Sequence, residues 1–150
     1  MIRRFKFEDE IHQNLSCVPM HARRKLDRAG VKISLGQWQA LGRGERLAIC
    51  HLPAESEDEC DALRMFIEEA VRNRGAGEAK PLSDEARRAA DPPPTPPSRL
   101  IDNARAEGVA LNQVEWDRLD PDERYALLKL GGGAERSHNL GAALREFLNR

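Results

Sequence analysis

Displacing the 150-residue sequence against itself by 78 positions superimposes its only two tryptophans, Trp38 on Trp116. The same displacement lays Gly30-Val31 over Gly108-Val109, Leu41 over Leu119 and Glu45-Arg46 over Glu123-Arg124. Ala48 and Leu52 then meet Ala126 and Leu130. The register runs in order and without a gap, which marks an internal duplication. A chain made of two such copies must build the same local pattern twice. Units of about fifty residues are marginal when folded alone, so the two are expected to pack together.

The local signals of both copies are helical. Pro19 and Pro97 offer a fixed φ for a first turn, and the helices they open end at Gly30 and Gly108. A short apolar step follows, Val31-Lys32-Ile33 or Val109-Ala110-Leu111, and then a helix cap, Ser34 or Asn112. In the second copy Glu115 completes a capping box with Asn112. The tryptophan helix stops near Gly42 or Asp120, where Asp120-Pro121-Asp122-Glu123 is a strong restart signal and Gly42-Arg43-Gly44-Glu45 a weaker one. The third helix runs through Leu47 and Leu52, or Leu127 and Leu130, until Pro53 or Gly131-Gly132-Gly133 breaks it. A fourth opens on the Ser56/Glu59 capping box, buries Cys60, Leu63, Phe66, Ile67, Ala70 and Val71, and stops at Gly75. Its counterpart opens at Ser137 and carries Leu140, Ala143, Leu144 and Phe147.

Composition agrees: 33% charged and 40% hydrophobic residues with 5% aromatics suit amphipathic helices better than a β-sandwich. The expected fold is all-α, two quasi-equivalent four-helix repeats packed about a pseudo-twofold relation, with the segment around Phe5 and Phe7 sealing one side. The expected divisions are residues 1–75 for the N-terminal segment and first repeat, 76–96 for a Pro/Ala-rich connector and 97–150 for the second repeat. Within the connector, residues 83–90 can form a short exposed helix and residues 91–97 an extended polyproline II spacer.

No apolar run approaches the roughly 20 residues that cross a bilayer, and residues 1–14 do not read as a signal peptide. Three cysteines, Cys17, Cys50 and Cys60, are an odd count that favours free thiols in a reducing compartment, so the cytoplasm is the expected location. The net charge of −1 argues against a whole-chain polyanion binder.

Phe5-Lys6-Phe7-Glu8, Leu15-Ser16-Cys17-Val18-Pro19-Met20, and Arg24-Lys25-Leu26-Asp27 ahead of Gly30-Val31-Lys32 together resemble the conserved nitrate reductase-associated protein family. The resemblance continues through Ser34-Leu35, Gln37-Trp38 and the run Glu123 to Leu130, and covers nearly the whole chain outside the connector. It implies a setting, nitrate assimilation beside molybdenum-cofactor synthesis, and carries no catalytic activity with it. The long Arg- and Ala-rich connector departs from the family pattern.

Candidate chemistry gathers at the start of the first copy. Cys17 precedes the Pro19 helix, whose free N–H groups and dipole would favour a thiolate, and His21 stands four residues on. A metal site on Cys17 and His21, with Cys50, His51 and Cys60 as further ligands, is an alternative, although no zinc-type spacing is present. Cys50 aligns with Leu128 and reads as core, as does Cys60, whereas Cys17 aligns with Thr95 and belongs to one copy only. His21, Arg24, Lys25 and Arg28 fall at i, i+3, i+4 and i+7, a basic stripe on one helix face. Residues 1–50 hold ten basic and five acidic side chains. Such a stripe can hold phosphate, or can be a solvated face.

A helix-turn-helix reader of nucleic acid, using the Trp38 or the Arg46 helix, fits poorly. The tryptophan helix carries Gln37 and Gln39 and no basic residue, and its counterpart is acidic through Glu115, Asp117 and Asp120. No nucleophile and base, phosphate loop or carboxylate pair stands out. The sequence therefore leads to a non-enzymatic accessory protein with no cofactor of its own. It would bind nitrate reductase or a cofactor-delivery protein through Cys17, Pro19, His21, Arg24, Lys25 and Arg28. A thiol or metal sensor centred on Cys17 and a nucleic-acid-binding regulator are the alternatives.

Overall fold

The computed structural model describes residues 2–149, and these are mostly helical, with one two-stranded ribbon. They divide into two compact units: residues 2–4 with Glu8–Ala90, and Phe5–Phe7 with residues 91–149.

In the first unit, α1 (Asp9–Asn14) leads to α2 (Met20–Ala29), α3 (Leu35–Ala40), α4 (Arg43–His51) and α5 (Glu57–Asn73). Their starts are encoded locally. Ser34 and Gln37 exchange side-chain and backbone hydrogen bonds across the first turn of α3, and Ser56 and Glu59 do the same for α5. Glu45 accepts from the Gly42 N–H at 2.8 Å, so α4 starts cleanly although Gly42 offers no side chain. That bond, with Arg74 alongside, holds the Glu45 carboxyl below its usual range. The α5 stripe of Cys60, Leu63, Ile67, Ala70 and Val71 is buried against Ala22, Leu26, Ala29, Trp38, Leu41 and Ile49. Phe66 is only partly buried at its edge.

Gly30 ends α2 in the left-handed region, φ 75°, where L side chains rarely sit. A Cβ there would also crowd Arg87, whose Cδ would lie 2.9 Å away, so that side chain would have to shift. Beyond it β1 (Val31–Lys32) pairs antiparallel with β2 (Lys80–Pro81), in the register Val31 to Pro81 and Lys32 to Lys80. The stretch read from sequence as a connector thus carries structure of its own. Leu82 N–H donates to the Gly30 carbonyl, and Gln37 Nε2 to the Ala76 and Glu78 carbonyls. The helix expected over residues 83–90 is shorter, α6 (Asp84–Arg88), and it is not free of the unit. Arg87 donates to the Arg28 carbonyl at 2.7 Å, and Ala90 is buried.

The second unit holds α7 (Ser98–Ala106), α8 (Gln113–Asp117), α9 (Pro121–Gly131) and α10 (Leu140–Leu148). The Asp120/Glu123 box with Pro121 starts α9 as its sequence predicts. Two details differ from expectation. Asn112 accepts from Glu115 N–H, but the Glu115 carboxylate turns to Arg118 at 3.7 Å instead of completing the box. The last helix begins at Leu140, not Ser137: the Ser137 N–H is drawn to the Leu130 carbonyl at the end of α9, and its hydroxyl accepts from Asn139 N–H. Gly131 lets α9 and α10 approach, since a Cβ there would lie 2.7 Å from Leu140 Cδ2.

Phe5 and Phe7 stack at 5.7 Å and reach Phe147 at 5.0 and 6.0 Å, while the Lys6 and Phe7 N–H groups donate to the Glu146 carboxylate. Residues 91–97 also belong here. The Pro93 carbonyl accepts from Trp116 Nε1 at 3.0 Å and the Pro94 carbonyl from Gln113 Nε2 at 2.9 Å.

Candidate functional site

Leu15 is the one non-glycine residue of positive φ among the described residues, at φ 51° and ψ 38°. A left-handed leucine costs about 1–2 kcal/mol, and it persists where its surroundings over-determine it. They do here. The side chain is 1% exposed, and the carbonyl accepts from Trp38 Nε1 at 2.8 Å and Arg46 Nη1 at 2.9 Å. The chain then turns outward, with Ser16 N–H bonded to the Asn14 side chain and the Ser16 carbonyl to Gln39. Cys17 stands exposed on this turn, and the other two thiols are buried. Burial pushes the Cys50 thiol up to about 11, partly offset by Lys25, and raises the Cys60 thiol as well.

The α2 N-terminus was expected to favour a thiolate at Cys17. Its leading N–H, that of Met20, donates instead to both oxygens of the buried Glu8 carboxylate, at 3.1 and 3.3 Å. The Glu8 carboxyl group already occupies the positive helix end there. Glu8 also meets His12 Nε2 at 3.3 Å, and burial, reinforced by the Arg4 charge, keeps His12 below its usual range. Nothing in the sequence pairs Glu8 with residue 20, because that contact depends on how α1 returns to α2.

The six residues predicted as one surface separate into two groups. Pro19 is the buried N-cap of α2 and so offers no surface. Lys25 is 7% exposed, and its ammonium donates to the carbonyls of Ile49, Cys50 and Leu52 at 2.6–2.7 Å. It closes the C-terminal end of α4, where unsatisfied carbonyls and the helix dipole favour a cation, and burial pulls it down to about 8. The basic stripe therefore lacks its central charge.

Around that gap, His21 Nδ1 accepts from Arg3 N–H at 3.2 Å, Arg24 Nε donates to the Ala90 carbonyl at 2.8 Å, and Arg28 reaches the Glu55 carbonyl at 3.4 Å. These three are part-buried, and Arg23 beside them is exposed. What remains outward is Cys17 with the partly exposed His21, Arg24 and Arg28. The expected wider ligand set does not assemble: among the described residues no three His, Cys, Asp or Glu side chains come together as metal ligands.

No helix among the described residues is long and apolar enough to cross a membrane. Residues 4–147 match the family model described as conserved nitrate reductase-associated protein. No curated protein and no solved structure matches the chain.

Proposed function

We propose that this chain, which belongs to the conserved nitrate reductase-associated protein family, is a non-enzymatic accessory protein of nitrate assimilation. It works in the cytoplasm and docks on nitrate reductase or on a protein that delivers the molybdenum cofactor. The family match over residues 4–147 carries this reading. The docking surface is the turn bearing Cys17 with the adjoining face of His21, Arg24 and Arg28. Pro19 and Leu15 act from beneath, as supports of that turn, and Lys25 ties the same helix to the end of α4.

The same reading takes the two units as copies of one helical scaffold. Support comes from bonds that recur 78 residues apart. Trp38 donates to the Leu15 carbonyl and Trp116 to the Pro93 carbonyl. Lys25 closes the end of α4, and Asn103, at the matching position, closes the end of α9 through non-matching carbonyls, those of Gly131 and Gly133.

Affinity capture from nitrate-grown cells tests the reading. The tagged protein is expected to retain nitrate reductase or a molybdenum-cofactor protein, and Arg28→Glu to reduce that retention at least tenfold. Equal retention by the folded variant, or recovery of neither partner, would exclude it.

A thiol sensor is the second reading, favoured by one observation: of the three cysteines only Cys17 is exposed. It predicts selective oxidation of Cys17 at low peroxide and a redox response lost in Cys17→Ser. An unchanged response in that variant removes it.

A further inference from the structure

In the first unit the backbone step after α2 is covered: β1 is paired by β2, and three further hydrogen bonds fasten the covering segment, residues 76–82. The corresponding step in the second unit, Val109–Ala110, lies in no strand; the Val109 N–H turns back to the Ala104 carbonyl at 3.0 Å, and among the described residues no strand pairs with the step. It is backed by Leu111, which is buried, while Gly108 and Ala110 are exposed. Instead of a covering segment there is a groove of about 440 Å³ lined by Glu107, Gly108, Val109, Ala110, Glu115 and Arg145, among others. An extended edge beside an open groove is the geometry that accepts an added strand.

The covered edge shows what an occupant looks like. Leu82 N–H donates to the Gly30 carbonyl, so in the alternating antiparallel ladder Val31 opposite Pro81 is the pair that exchanges no hydrogen bonds. Proline is tolerated there because no N–H is needed. By the same register Gly108 offers a carbonyl, Ala110 offers both its N–H and its carbonyl, and Val109 faces a residue that need not donate.

The walls differ in charge. Gln37, whose amide holds the covering segment by donating to its carbonyls, is replaced at the corresponding position by Glu115, which can only accept. Glu107 stands where the first unit has Ala29. Each carboxylate has a loose ion pair near solvent, Glu107 with Arg136 at 3.9 Å and Glu115 with Arg118 at 3.7 Å. Such pairs are weak and readily exchanged. Arg145 offsets one of the two negative charges.

We infer that the Val109–Ala110 edge and its groove form a docking site for an extended segment of a partner protein. The segment adds as an antiparallel strand and carries lysine or arginine side chains to Glu115 and Glu107. This goes beyond the accessory role proposed above, since it concerns the other unit and a different mode of recognition.

The test uses the full chain and the labelled peptide AGKAKPL, which is residues 76–82 with the Glu78→Lys change. Saturable binding is expected, with amide shifts in the nitrogen-15 spectrum centred on residues 108–111. At least tenfold weaker binding is expected for the peptide with both lysines replaced by glutamate. Ala110→Pro, which removes the edge donor, and Glu115→Lys, which inverts the wall, should each weaken binding tenfold or more. Should Ala110→Pro fail to fold by circular dichroism, Glu115→Lys carries the test alone.

Absence of binding, shifts centred on Val31 and Lys32 instead, or undiminished affinity in a folded Glu115→Lys protein would overturn the inference. Equal affinity for the unmodified AGEAKPL would also overturn it, pointing to a second copy of this chain as the occupant. The assay contains no component of nitrate assimilation, so its failure and failure of the accessory reading are separate results.

Discussion

At position 25 the first unit uses an ammonium with three donors, and at position 103, 78 residues on, the second uses a carboxamide; both reach the carbonyls that end the third helix. Both positions need a donor, and a cation is favoured there without being required. A lysine that reads from sequence as part of a basic docking stripe is therefore explained by the scaffold, and its charge is unavailable to a partner. The turn that receives the indole behaves in the opposite way. Pro93 fills the role in the second unit, whereas Leu15 fills it in the first at a left-handed φ and delivers an exposed cysteine two residues later. Where the units agree they hold a fold, and at the left-handed turn the first unit carries an exposed cysteine for which the second has no counterpart.

That comparison breaks most easily at the tryptophans. Trp38→Ala and Trp116→Ala each empty a fully buried site and remove the indole donor to a carbonyl, although the Leu15 carbonyl keeps Arg46, and each should cost about 4 kcal/mol. Hydrogen exchange should place the loss in the mutated unit, and a loss spread evenly over both would show the units do not report separately. Next in size, Lys25→Met strands the α4 carbonyls in a buried setting and should cost about 3 kcal/mol by urea unfolding, against about 1 kcal/mol for Asn103→Ala, whose carbonyls lie nearer to solvent. The reverse order would contradict the assignment of Lys25 to the scaffold.

Ser56→Ala and Asp120→Ala remove one N-cap from each unit and should cost about 1 kcal/mol apiece; a clear inequality in thermal unfolding would mark one helix start as held by packing instead. The smallest effect is on pH dependence. Burial and the Arg4 charge hold His12 below its unfolded value of 6.5, so the unfolded chain takes up the proton first as pH falls. Stability from this source is complete above pH 6.5 and declines below it. The decline should be reduced in His12→Gln, and hydrogen exchange at pH 5 should show the first unit loosening more than the second.

Much of the secondary structure was legible because its determinants are local. The boxes at Ser56/Glu59 and Asp120/Glu123, the glycine at the end of α2 and the apolar stripe of α5 each act within a turn or two of chain. The partners of Glu8, Lys25 and residues 76–82 were not legible, since each depends on a contact between elements 12 to about 50 positions apart. One signal was present in the sequence. Lys25 falls on Asn103 in the displaced alignment, and both sit between neighbours that form the buried helix face, Ala22 and Leu26 in one case, Leu100 and Ala104 in the other. Polar residues of different charge kept at a core-facing register suggest a shared structural bond more than a docking stripe. The strained turn at Leu15 could not be anticipated, because leucine carries no preference for it.

Cross-linking from Cys17 probes the proposed docking surface itself. The native protein would be labelled at its single exposed thiol with a maleimide photo-crosslinker and illuminated in extract of nitrate-grown cells, with Cys17→Ser as the blank. A thiol-dependent adduct containing nitrate reductase or a molybdenum-cofactor-delivery protein is expected, diminished by Arg28→Glu. A fully labelled protein that forms no adduct with either, in extract where both are abundant, would contradict it.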